Sequence, residues 1–119
     1  MTTLEQKRAQ HAWEKAAEGI GAHGSDYMSD AKGLPALIMN SGLMQVMAFL
    51  NQKGGRHHLL MNHLLDWLGE QLKTPKGFET FMEEMMRADS RRYQQVTAEA
   101  FAWLRWLRQM AAARNGGNG

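Results

Sequence analysis

Apolar residues recur along this chain at intervals of three and four, the spacing that lines one face of a helix. No segment alternates apolar with polar residues as a half-buried strand does. The pattern predicts an all-α fold, a single compact domain of five or six helices. The first runs from residue 3 to about 20, with Leu4, Ala9, Ala12, Trp13, Ala16 and Ile20 as a narrow stripe. Thr2-Thr3 followed by Gln6 has the form of a capping box. Gly19, Gly21 and Gly24 end this helix. Ser25 or Asp26 then caps a second, which carries Tyr27, Met28, Ala31, Leu34, Leu37 and Ile38, with Pro35 placed to split or kink it.

The stretch LPALIMNSGLMQVMAFLNQK, residues 34–53, reads as two helical pieces joined at Asn40-Ser41-Gly42, where Ser41 is expected to cap the second piece. That piece carries Leu43, Met44, Val46, Met47, Phe49 and Leu50, apolar on nearly every side. A helix of this kind must be covered by its neighbours. Residues 43–52 are therefore expected to be the central helix, with Phe49 in the core. Gly54-Gly55 stops it. A fourth helix from Arg56 to about Leu72 has Leu60, Met61, Leu64, Leu65, Leu68 and Leu72 as its stripe, with Trp67 beside it. After the loop Thr74-Pro75-Lys76-Gly77 comes a short fifth helix bearing Phe78, Phe81, Met82, Met85 and Met86. Asp89-Ser90 caps the last helix, expected to reach Ala113. The domain spans residues 1–114, and 115–119, Asn-Gly-Gly-Asn-Gly, is expected to be a disordered tail.

Composition changes the picture in two respects. There is no cysteine among the 119 residues, which excludes disulfides, thiolate metal sites and cysteine nucleophiles. Without a membrane-length apolar run or a signal-peptide core, a soluble, cytoplasmic protein is expected. The net charge is only +2, yet it is unevenly spread. Residues 1–86 hold eight basic and ten acidic side chains, whereas residues 87–119 hold six arginines against Asp89 and Glu99. Arginine presents a planar fork of donors that matches phosphate. An arginine-bearing helix fits a polyanion contact and a solvated face equally well.

Helical stepping places Tyr93, Val96, Ala100, Leu104, Leu107 and Ala111 on one side of the last helix. Arg91, Gln95, Ala102, Arg105 and Gln109 fall opposite, and Arg108 lies between. Arg92 turns toward the Trp103 edge. Trp106 sits off the apolar stripe, so it is either covered by a neighbouring helix or part of a contact surface.

No catalytic constellation is present. His57, His58 and His63 lack the i, i+4 spacing of a helical metal pair, and Glu83-Glu84 are adjacent and point to different faces. The glycines do not form a phosphate-binding loop. No enzyme activity, cofactor or metal is expected.

Two blocks together carry a resemblance. The first contains Lys32, Leu34-Pro35, Ile38, Asn40-x-Gly42-Leu43, Gln45, Ala48-Phe49-Leu50 and Lys53. The second contains Tyr93, Thr97-x-Glu99-Ala100 and Trp103-Leu104-x-Trp106-Leu107-Arg108. In this order and spacing the chain resembles the small α-helical subunit of the Cmr-type (type III-B) CRISPR RNA-targeting effector complex. The resemblance implies a non-catalytic subunit in antiviral defence, present in several copies beside the guide RNA and target RNA, with other effector subunits and copies of itself as neighbours. Lys32, Lys53, Arg91, Arg92, Arg105 and Arg108 are the expected RNA-binding residues. The alternative is a helical protein-interaction module whose arginines meet acidic partners.

Overall fold

A computed structural model describes residues 2–116, and among these residues there are six helices and no strand. Helix α1 (Leu4–His23) begins at the expected capping box: the Gln6 backbone N–H donates to Thr3 Oγ1 at 3.1 Å, and Thr3 N–H donates to Gln6 Oε1 at 2.8 Å. It runs past Gly19 and Gly21 and stops at Gly24. Helices α2 (Ser25–Ser41), α3 (Leu43–Lys53) and α4 (Gly55–Leu72) follow with a single residue between each pair: Gly24, Gly42 and Gly54. Each of these three has positive φ, between 60° and 84°, and donates its N–H back to the preceding helix. Ser25, Asp26 and Ser41 do not cap, contrary to expectation, because Gly24 and Gly42 at positive φ occupy the N-cap positions and have no side chain to offer.

Gly19 serves packing instead of termination. A Cβ there would lie 2.5 Å from the fully buried Tyr27 ring, so only glycine lets α1 and α2 approach this closely. Pro35 lies within a continuous α2 and does not split it. Ala31, Leu34 and Ile38 are buried around it, so packing holds the helix across the missing N–H.

The enclosed helix is α4, not the segment 43–52. Leu60, Met61, Leu64, Leu65, Trp67 and Leu68 are all buried, and α4 packs against α1, α2, α3 and α6. Helix α3 buries Leu43, Val46, Met47 and Leu50 against α2, α4 and α5. Phe49 is 40% exposed, edge-on to His57 and under the Lys53 ammonium, so it is not core. Helix α5 (Phe78–Arg87) buries Phe81 and Met85 and leaves Met86 in solvent.

Helix α6 (Ser90–Gly116) opens with Asp89 Oδ1 accepting the Arg92 N–H at 2.8 Å, as expected of Asp89. It extends beyond Ala113. The Arg114 guanidinium stacks 3.6 Å from the centre of the Trp13 ring, and Asn115 donates to Met28 Sδ at 3.8 Å. Asn115 and Gly116 are thus helical; the rest of the expected tail, 117–119, lies outside the described residues. The molecule measures 45 × 39 × 23 Å, its least dimension that of two stacked helices.

Candidate nucleic-acid interface

The expected RNA-binding cations divide into two groups. Lys32 on α2, Lys53 at the end of α3, and Arg91, Arg105 and Arg108 on α6 are all exposed. None of these five makes an ion pair with a described acid, whereas Arg8, Lys15, Arg56, Lys76 and Arg92 all do. Arg92 belongs to the second group. Its Nη2 donates to the Leu72 carbonyl at 2.7 Å and lies 3.7 Å from Glu84, and its Nη1 donates to Gln95 at 3.0 Å. That guanidinium joins the end of α4 to α5 and α6, and its donors are committed inside the protein.

The open face of α6 is narrower than stepping alone suggests. Ala102 and Glu99 are each only 8% exposed, because α1 runs along that flank. Arg91, Arg105 and Arg108 remain exposed. Fourteen residues separate Arg91 from Arg105, which is about 21 Å along a helix axis.

Trp106 is covered by α1, and its indole N–H donates to Glu5 Oε2 at 3.2 Å. Glu5 also accepts from Arg8 at 2.7 Å, and this bond, more than any other influence, holds its carboxyl below the usual range. Arg8 in turn is gripped by Glu99 through two bonds of 2.7 and 2.8 Å, which raise the guanidinium pKa further. Glu99 also accepts the Trp67 indole N–H at 3.0 Å. A charge-assisted chain therefore runs from the core to the α6 surface. Beside its outer end lies a cleft of about 440 Å³, lined by Glu5, Arg105, Trp106, Arg108 and Gln109. Nothing local in the sequence marks this chain, since Glu5 and Trp106 are 101 positions apart.

His57, His58 and His63 meet different partners. His57 approaches Asp30, and His58 meets Asn62 on its own helix. His63 bridges Tyr27 and Glu18. Among the described residues, one group brings its ligand atoms within 4.8 Å of one another: His11, Asp66 and Glu70. It was not legible beforehand, because His11 on α1 meets an i, i+4 acid pair on α4. Its hydrogen bonds tell against a metal. The Trp103 indole, a donor only, gives its N–H to His11 Nδ1 at 2.9 Å, so the ring proton resides on Nε2 and points to Asp66 at 2.8 Å. Coordination through Nε2 would drive that proton onto Nδ1, against the indole N–H. Lys76 and Lys15 also crowd Asp66, at 3.0 and 3.9 Å. Burial raises the Asp66 pKa, yet bonds from His11 and Lys76 outweigh it and hold the carboxyl well below its ordinary value.

The model of the family described as CRISPR-associated protein (Cas_Cmr5) matches residues 4–114. The chain belongs to the Cmr5 family. It is 31% identical over 115 residues to the CRISPR system Cmr subunit Cmr5 of Thermus thermophilus, covering 95% of this chain and 96% of the relative. The Cmr subunit Cmr5 of Thermotoga maritima is 28% identical over 120 residues, covering 98% and 88%. The crystal structure of a Cmr5 family protein from Thermus thermophilus superposes with a TM-score of 0.81 at 30% identity, over 95% of this chain and 97% of that one. The six-helix architecture is that of the family, and the expected resemblance is met along nearly the whole sequence.

Proposed function

We propose that this chain is a non-catalytic structural subunit of a Cmr-type CRISPR effector complex, contacting guide and target RNA through exposed cations. The observation that carries the RNA contact is the α6 face, where Arg91, Arg105 and Arg108 stand unpaired while Arg8, Arg56 and Arg92 are held by acids. Lys32 and Lys53 add exposed charge on α2 and α3. Contacts of this kind position a nucleic-acid backbone without reading its sequence. The non-catalytic part is supported by the locked His11 tautomer, which spoils the one metal-like cluster among the described residues. The exposed Leu37, Met39, Phe49 and Met86 suit neighbouring subunits, another copy of this chain included.

The test is copurification. The tagged chain, drawn from its native host at moderate salt, should bring down other effector subunits together with guide RNA. Recovery of partner proteins without RNA would favour a protein-interaction module.

A further inference from the structure

The cleft beside Trp106 has features that phosphate contacts alone do not require. The indole is half-buried, and its N–H donates to Glu5, which accepts from Arg8, itself held by the buried Glu99. Arg105 and Arg108 lie three residues apart on the same helix and line the same cleft. At about 440 Å³ the cleft falls in the size range of small-ligand sites.

We propose that this cleft seats one unpaired nucleotide of a single-stranded RNA, its base against the Trp106 ring and its phosphate on Arg105 and Arg108. An aromatic shelf offers nothing to a duplex, whose bases are already stacked on each other and whose surface is phosphate and ribose. An unpaired base always has a free π-face. An acidic peptide would engage the arginines but leave the ring unfilled. The inference rests on the RNA-contact reading and narrows it from backbone alone to an exposed base.

The test uses effector complexes rebuilt with wild-type chain, Trp106→Leu, Trp106→Phe or Arg105→Ala/Arg108→Ala, titrated with a single-stranded RNA at several salt concentrations. Leucine keeps apolar bulk and removes the π-face. Trp106→Leu should weaken binding roughly fivefold to a hundredfold, the range expected when one base stack is removed, with the salt slope unchanged because no counterion is involved. Trp106→Phe should recover most of the affinity, and binding of a fully paired duplex should not change. The double arginine variant should weaken binding and flatten the slope. Ultraviolet crosslinking of the same RNA to the wild-type complex, which needs no variant to fold, should place adducts on the α6 peptide that contains Trp106. If Trp106→Leu binds normally while the arginine variant is weakened, or if no adduct forms there, the cleft is not a nucleotide seat, although the RNA-contact reading stands. If every variant binds RNA normally but assembles poorly, the cleft belongs to a protein partner and both readings fall.

Discussion

His63 is 3% exposed, with Tyr27 of α2 on one ring nitrogen at 2.6 Å and Glu18 of α1 on the other at 3.3 Å. The carboxylate only accepts, so Nε2 carries the proton and Nδ1 accepts from the tyrosine hydroxyl. Burial lowers the His63 pKa; Glu18 pulls it up, and Lys15 and His11 add to the lowering. Its folded value lies below its unfolded one, so the unfolded chain takes up a proton first as pH falls. The stability contributed by the neutral ring is complete above the ordinary value of 6.5 and declines below it. Asp66, also depressed, begins to lose its contribution only below its ordinary 3.8. The melting temperature should therefore fall between pH 7.5 and 5, and His63→Gln should flatten that part of the profile. Identical slopes in the two proteins would mean that His63 does not titrate there.

Between elements, the strongest clamp is Arg8 of α1 on Glu99 of α6, with Trp67 of α4 donating to the same carboxylate. Glu99→Ala would leave Arg8, 16% exposed, with only the exposed Glu5 and the buried Trp67 N–H without its acceptor, and should cost about 3 kcal/mol in chemical denaturation. A cost under about 1 kcal/mol would show that solvent readily replaces the carboxylate. The helix spans were legible because period-3.6 stripes are local, and so were the Thr3 and Asp89 caps. The joints were not: Ser25 and Ser41 have the chemistry of caps, but Gly24 and Gly42, at positive φ, take the N-cap positions themselves. Phe49 misled for a similar reason. Residues 43–50 are apolar on nearly every side, and periodicity cannot say which side lacks a neighbour. In the candidate site, the exposure of Arg91, Arg105 and Arg108 followed from helical angles. The capture of Arg92 by the Leu72 carbonyl, and of Trp106 by Glu5, depends on groups 20 and 101 positions away.

At the scale of the whole molecule, a slab two helices thick carries its unpaired arginines on α6 and exposed Leu37, Met39 and Phe49 on α2 and α3. On the proposed reading, a net charge of +2 predicts weak RNA binding by a single copy, with the arginine face acting through the assembled complex. The measurement that tests this most directly is a salt titration of RNA retention by complexes rebuilt with wild-type chain or with Arg91→Ala/Arg105→Ala. Both positions are exposed and away from the core, so stability should change by no more than about 0.5 kcal/mol. Retention should fall, and the log–log salt slope should flatten by about 0.7 for each phosphate of single-stranded RNA that an arginine no longer neutralises. An unchanged slope with normal assembly would contradict the account, and a defect in assembly with normal RNA retention would assign these arginines to protein.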